Sequence, residues 1–125
     1  MQHNPVGWFE IYVQDMDRAT AFYNTVLGHP LEKLEAPEGE ADMRAFPMSE
    51  EGQGASGALV KMADVPSTPG GTLVYFSCED CGVEASRIEA AGGQLKQPKM
   101  AIGEYGFIAL AIDTEGNMFG LHSRT

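Results

Sequence analysis

Asp15-Met16-Asp17-Arg18-Ala19-Thr20-Ala21-Phe22-Tyr23 runs on to Val26-Leu27-Gly28, and about 64 positions later the chain repeats the plan. There Glu79-Asp80-Cys81-Gly82-Val83-Glu84-Ala85 runs on to Ile88-Glu89-Ala90-Ala91-Gly92. Each copy follows an apolar strand-like run, Trp8 to Val13 and Leu73 to Cys78, and more strand-like segments come after it. Two copies that each span half a chain are not a solenoid unit. They imply two similar halves, and a cavity where the halves meet is the expected place for function.

The flanking segments fill out each copy. In Trp8-Phe9-Glu10-Ile11-Tyr12-Val13, strand alternation puts Phe9, Ile11 and Val13 on one face, suited to packing under a helix. Trp8, Glu10 and Tyr12 share the other face, a carboxylate between two aromatics, and read as a cavity wall. Asp15 is an N-cap, Ala19, Phe22, Tyr23 and Val26 form an apolar helical stripe, and Gly28 is a left-handed C-cap stopped by Pro30. Further strand candidates are Leu31 to Gly39, Met43 to Met48 and Gly57 to Met62, before a linker at 65–71. In the second half, Thr72 to Cys78 is a strand and Asp80 or Glu79 caps a helix ending at Gly92-Gly93, with Val83, Ile88 and Ala91 as buried candidates. Strands follow at Gln94 to Met100, Tyr105 to Ile112 and Asn117 to His122, with a tight turn over 113–117. Each half reads βαβββ. The chain is thus a single α+β domain, residues 1–125, with module one at about 6–64 and module two at about 71–123.

A chain of 125 residues with 43% hydrophobic and 21% charged residues can bury a core without disulfides or metal. Its net charge of -10 argues against nucleic acid and against anionic membrane surfaces. Acidic residues cluster at Glu32 to Glu40 and at Glu50-Glu51 and read as solvated faces. Met1-Gln2-His3-Asn4-Pro5 carries neither a basic region nor an apolar run, and no stretch approaches a membrane span of ~18 residues. With two cysteines, this predicts a cytoplasmic protein with reduced thiols.

These blocks resemble the vicinal oxygen chelate superfamily, which contains glyoxalase I, the bleomycin-resistance proteins and the extradiol dioxygenases. The matching residues are Trp8 to Ala19, Ala21-Phe22-Tyr23 and Leu27-Gly28 in the first half. In the second they are Val74-Tyr75-Phe76-Ser77, Ala90-Ala91-Gly92-Gly93 and Asp113-Thr114-Glu115-Gly116-Asn117-Met118-Phe119-Gly120-Leu121. The resemblance implies two paired βαβββ modules whose mixed sheets curl around a cavity, often in a homodimer. In the family's enzymes that cavity holds a divalent metal, which chelates vicinal oxygens of the substrate as a Lewis acid.

The resemblance also says where the ligands would be, and none of the places holds a donor. Counted back from Asp15, the first falls on Trp8. The second falls in Gly57-Ala58-Leu59-Val60-Lys61-Met62, the third near Leu73, and the fourth on Gly120. A metal needs several O or N donors converging at about 2 to 2.3 Å. No family metal and no other cofactor is therefore expected. The alternative is a divalent metal in a relocated site using Glu10 and His122.

The expected ligand-binding residues are Trp8, Glu10, Tyr12, Tyr75, Ser77, Tyr105, Phe107, Met118 and His122, with Glu10 also the catalytic candidate. A partly desolvated carboxylate has a raised pKa and suits proton transfer. Whether Arg44 and Lys61 face the cavity is open. Cys78-Glu79-Asp80-Cys81 looks like a redox motif, but Cys78 alternates with Val74 and Phe76 and should be buried. The leading reading is a metal-free binder of a small organic ligand in an aromatic cavity. One alternative is a glyoxalase-type lyase, isomerase or dioxygenase. The other is an antibiotic-sequestering resistance protein, to which the negative charge would suit a cationic drug.

Overall fold

The computed structural model describes residues 3–35, 41–67 and 70–125. Met1-Gln2, the 36–40 part of the acidic loop and Thr68-Pro69 of the linker lie outside the described residues. The chain divides into two compact units, Trp8–Thr72 and Leu73–Thr125, the latter together with the leading residues through Gly7.

The first unit contains most of β1 (Val6–Tyr12), then α1 (Met16–Leu27), β2 (Glu32–Leu34), β3 (Asp42–Ala45) and β4 (Ser56–Lys61). β1 pairs parallel with β4, β4 antiparallel with β3, and β3 antiparallel with β2. The second unit contains most of β5 (Thr72–Ser77), then α2 (Cys81–Ala85), β6 (Gln94–Ala101), β7 (Phe107–Ile112) and β8 (Met118–Ser123). β5 pairs parallel with β8, β8 antiparallel with β7, and β7 antiparallel with β6. Both units therefore carry the βαβββ order with one strand sequence from edge to edge, and the fold is α+β with mixed sheets. Among the described residues, no helix is long and apolar enough to cross a membrane.

Local chemistry sets the ends of α1. The Asp15 side chain accepts from the Arg18 N–H at 3.0 Å, and Gly28 closes the helix at φ 75° with its N–H donated to the Asn24 carbonyl. Under α1, Val13, Met16 and Leu59 are buried, with Ile11, Ala19, Tyr23, Leu31 and Phe46 packed around them. Leu59 is fully buried, which contributes about 2 kcal/mol. The apolar stripe of α1 is narrower than its sequence suggests, because Phe22 and Val26 are exposed. At about 100° per residue they stand 80–120° round the helix from Met16, on its flank.

The second helix is shorter than expected. α2 runs from its Asp80 cap, which accepts from the Gly82 N–H at 2.9 Å, only to Ala85. The chain continues to Gly93 in tight turns, with Arg87 N–H to Glu84 O and Ile88 N–H to Ala85 O. Cys81, Ala85 and Ile88 still share one buried face, against Ala109, Ala111 and Leu121. Val83 is exposed, and so is Ala91, contrary to the sequence expectation.

Replacing Asp15 by Ala should cost about 1 kcal/mol of stability through the lost cap, while Asp15→Asn, which keeps an acceptor, should cost much less. Urea denaturation of the two variants measures the difference.

Candidate functional site

The two faces of β1 separate as alternation demands. Phe9 and Ile11 pack on the α1 side, with the Phe9 ring 5.6 Å from that of Phe46. Trp8 and Tyr12 pack on the opposite side with buried Met43, Ala58 and Val60. Glu10 stands between them, half-buried, with Ala58 as its neighbour on β4. The small Ala58 leaves the carboxylate room.

That carboxylate is held at both oxygens. Tyr12 Oη donates to Oε1 at 2.8 Å, and Trp8 Nε1 donates to Oε2 at 3.2 Å. Burial pushes the Glu10 carboxyl above the ordinary carboxylate range, and the bonds from Tyr12 and Trp8 pull the other way without cancelling it. Both donors are neutral, so they fix the orientation of the carboxylate and leave its charge in place. A desolvated, oriented carboxylate on an apolar floor can grip a donor or cationic group, or hold and release a proton.

Arg44 and Lys61 lie on the other face. Their register partners in β3 and β4, Leu59 and Asp42, alternate with Ala58 and Val60. Arg44 pairs with Asp42 and also donates to the Met43 carbonyl at 3.1 Å. Lys61 joins Gln14, Asp15, Met16, Asp17 and Asp42 around an open depression of about 400 Å³ at the amino end of α1. That depression is a polar surface feature and includes neither Trp8, Glu10 nor Tyr12.

In the second unit, Tyr75, Gly120, Ser77 and His122 share the face away from α2. Tyr75 is the register partner of Gly120, and Ser77 that of His122. The Ser77 hydroxyl is covered by the backbone of Gly7, where an added methyl would meet Oγ at 2.1 Å. His122 Nε2 lies 2.6 Å from the carbonyl oxygen of Tyr105, which stands in the single turn Gly103–Tyr105. Met118 is exposed. Phe107, expected on the same face, packs instead with the α2 cluster, and the Lys99 ammonium stands 4.7 Å from its ring centre. The odd-numbered positions of β7 face α2, as Ala109 and Ala111 do, and Phe107 follows them.

The cysteine pair does not have the character of a redox site. Cys81 is fully buried, its N–H donated to Ser123 Oγ at 3.0 Å. Burial first, then the charge of Glu84, pushes the Cys78 thiol up to about 11. A thiol that stays protonated near neutrality is a poor nucleophile.

The residues at the family's metal positions do not fit a metal. Trp8 has only an indole N–H there, and it is spent on Glu10. At Gly120 a side chain has no space, because an added methyl would stand 2.3 Å from Cδ1 and Cε1 of the Tyr75 ring. Among the described residues, no three His, Cys, Asp or Glu side chains gather as a metal site requires.

The shared face of Trp8, Glu10 and Tyr12 follows from the alternation of β1, whereas Met43, Ala58 and Val60, which form the floor beside them, carry no such local signal. Only the strand register reveals those, and register depends on long-range pairing that no local pattern encodes.

Residues 6–121 match the family model described as the Glyoxalase/Bleomycin resistance protein/Dioxygenase superfamily. Two curated relatives, from Mycobacterium bovis and Mycobacterium tuberculosis, carry the name "Putative glyoxylase CFP32" and are 27% identical over 114 residues. The match covers 91% of this chain and 42% of each relative, so the chain spans less than half of their length. Among solved structures, methylmalonyl-CoA epimerase from Mycobacterium tuberculosis matches with a TM-score of 0.69 at 17% identity, over 97% of this chain and 88% of that one. A variant of the Streptomyces coelicolor epimerase in complex with 2-nitronate-propionyl-CoA matches with a TM-score of 0.70 at 16% identity, over 98% of both chains. At these identities the structural likeness shows the fold.

Two outcomes follow from the site. Gly120→Ala should lower stability by about 1–3 kcal/mol through overpacking against Tyr75, and most of that cost should vanish in a Tyr75→Ala background. A double-mutant cycle in urea measures the coupling. For Glu10, a folded pKa above the ordinary value of 4.5 means that the folded state holds the proton more tightly. Its contribution to stability is fully present below the unfolded value and is lost as pH rises through the folded one. The stability of the wild type relative to Glu10→Gln should therefore fall as pH rises from the ordinary value of 4.5 through the raised folded one, and a flat or rising difference would contradict the burial argument.

Proposed function

Since the chain belongs to the glyoxalase/bleomycin resistance protein/dioxygenase superfamily, we propose that it binds a small organic molecule against the Trp8, Glu10 and Tyr12 face without the family metal. The observation that carries this reading is the Glu10 carboxylate, anchored by Tyr12 at 2.8 Å and Trp8 at 3.2 Å on the apolar floor of Met43, Ala58 and Val60. Aromatic side chains give a flat ligand a stacking surface, and Glu10 orients a donor or cationic group on it. The misfit at Trp8 and Gly120 supports the metal-free part. A fold neighbour in complex with a CoA derivative supports the small-molecule part.

A second reading has one observation in its favour. The raised carboxyl of Glu10 suits general acid–base work, so turnover of the bound molecule by proton transfer is the enzymatic version of the same site. The name of the mycobacterial relatives points the same way.

Trp8 is the sole tryptophan, so its emission reports on this face. Titration with a panel of CoA thioesters, aromatic metabolites and cationic antibiotics should quench or shift it for at least one compound. The response should be the same with and without chelator. Glu10→Ala should weaken a cationic ligand about 10- to 100-fold, the worth of a charged hydrogen bond. Unchanged emission across the panel would overturn the ligand reading. A stoichiometric divalent ion that is lost in Glu10→Ala would overturn the metal-free one.

A further inference from the structure

We propose that His122 is a recognition residue that accepts a hydrogen bond from a hydroxyl group of a small molecule on its Nδ1, with the ring held in the required tautomer by the Tyr105 carbonyl. His122 Nε2 lies 2.6 Å from the Tyr105 carbonyl oxygen. A carbonyl oxygen has lone pairs and no proton, so Nε2 must be the donor. In the neutral ring the proton is then on Nε2, and Nδ1 is left as a bare acceptor.

The carbonyl is delivered by a built turn. Gly103 stands at φ 75° and Gly106 at φ 104°, both in the region that favours glycine. The Ile102 N–H is donated to the Gly106 carbonyl at 2.9 Å, and the Gly106 N–H to Gly103 at 3.2 Å. The turn presses close on β8, since a methyl on Gly106 would meet the Ser123 carbonyl at 2.3 Å. On the other side, Cys78 N–H donates to the His122 carbonyl at 2.8 Å and fixes the strand beneath the ring. Backbone and ring are thus both held.

Nδ1 makes no hydrogen bond among the described residues. The fully buried side-chain atoms without a partner among those residues are Thr20 Oγ1 and Glu84 Oε1, so Nδ1 is not sealed off in the half-buried ring. The face around it carries Tyr75, Ile108 and Leu110, apolar surroundings in which a single directed acceptor selects a neutral hydroxyl over an ether.

This deepens the small-molecule reading and rests on it, but its first test needs no ligand. Long-range ¹H–¹⁵N spectra of the full chain should show His122 protonated at Nε2 and bare at Nδ1. The reverse tautomer overturns the proposal, whatever becomes of Trp8. The second test uses phenol and anisole, which differ by the hydroxyl proton. Phenol should shift the Nδ1 resonance and bind roughly three- to tenfold tighter than anisole. His122→Gln keeps a donor near the Nε2 position but has no atom where Nδ1 stood, its carbonyl oxygen lying elsewhere, and should lose most of that preference. His122→Asn keeps an acceptor near the Nδ1 position and should retain part of it. Equal shifts with phenol and anisole, or a phenol preference that survives in His122→Gln, overturn the proposal. Failure of the Trp8 titration with an Nε2-protonated His122 that still prefers phenol would overturn only the Glu10 reading.

Discussion

The two-residue period of β1 is the constraint on which the first unit depends. It sends Phe9 and Ile11 under α1 and brings Trp8, Glu10 and Tyr12 together on the other side. A slip by one residue would drive the Glu10 carboxylate into the cluster around Leu59 and lift Phe9 off it. Register is locked by a glycine. Phe9 lies opposite Gly57 on β4, and a methyl there would come within 2.5–2.6 Å of the Phe9 ring. The neighbouring Ser56 and Ala58 both carry a Cβ, so only one alignment accommodates the ring. The second unit uses the same device in its own parallel pair, with Tyr75 over Gly120, on the face away from its helix. In both units the first and last strands of a βαβββ module are aligned by an aromatic seated on a glycine.

With register fixed, the chemistry of Glu10 follows. Side chains two apart on one strand face share a side and come within reach of one another, so Trp8 and Tyr12 can each give their single donor to the carboxylate between them. They satisfy both of its oxygens without neutralising it. Desolvation is therefore opposed by hydrogen bonds alone, and desolvation is the larger effect. The charged form is oriented but costly, and an incoming donor or cation would relieve that cost. Arg44 is kept away by alternation and held by Asp42 and the Met43 carbonyl.

Much of this is legible in the sequence because it rests on short-range patterns. The Asp15 and Asp80 caps, the Gly28 stop and the alternation of β1 are each decided within a few residues. The misses have a common physical origin in tertiary packing. The stripe of α1 includes Phe22 and Val26, but a helix on a sheet buries only the arc nearest the strands, and both lie on the flank. The second helix stops at Ala85 because tight turns take over to reach Gly93, which approaches Ile112 so closely that a methyl would stand 2.7 Å from its carbonyl. Phe107 shares the parity of Ala109 and Ala111 along β7 and so faces α2. The role of Tyr105 is carried by its carbonyl, which no side-chain pattern can reveal.

The vacant metal positions take on a different meaning with the packing in view. Four positions without donors could describe a damaged site, in which substitution of one or two residues would restore coordination. The surroundings of Gly120 argue otherwise. The Tyr75 ring occupies the space that a ligand side chain would need, and Tyr75 is itself buried. At Trp8 the indole N–H is committed to Glu10. A chain that had merely lost donors would leave cavities or unpaired polar groups at these places, each of which destabilises. Here the Tyr75 ring fills the space beside Gly120 and the Trp8 donor is paired with Glu10. A side chain at position 120 would have to displace the Tyr75 ring, and a different residue at position 8 would release one oxygen of the Glu10 carboxylate.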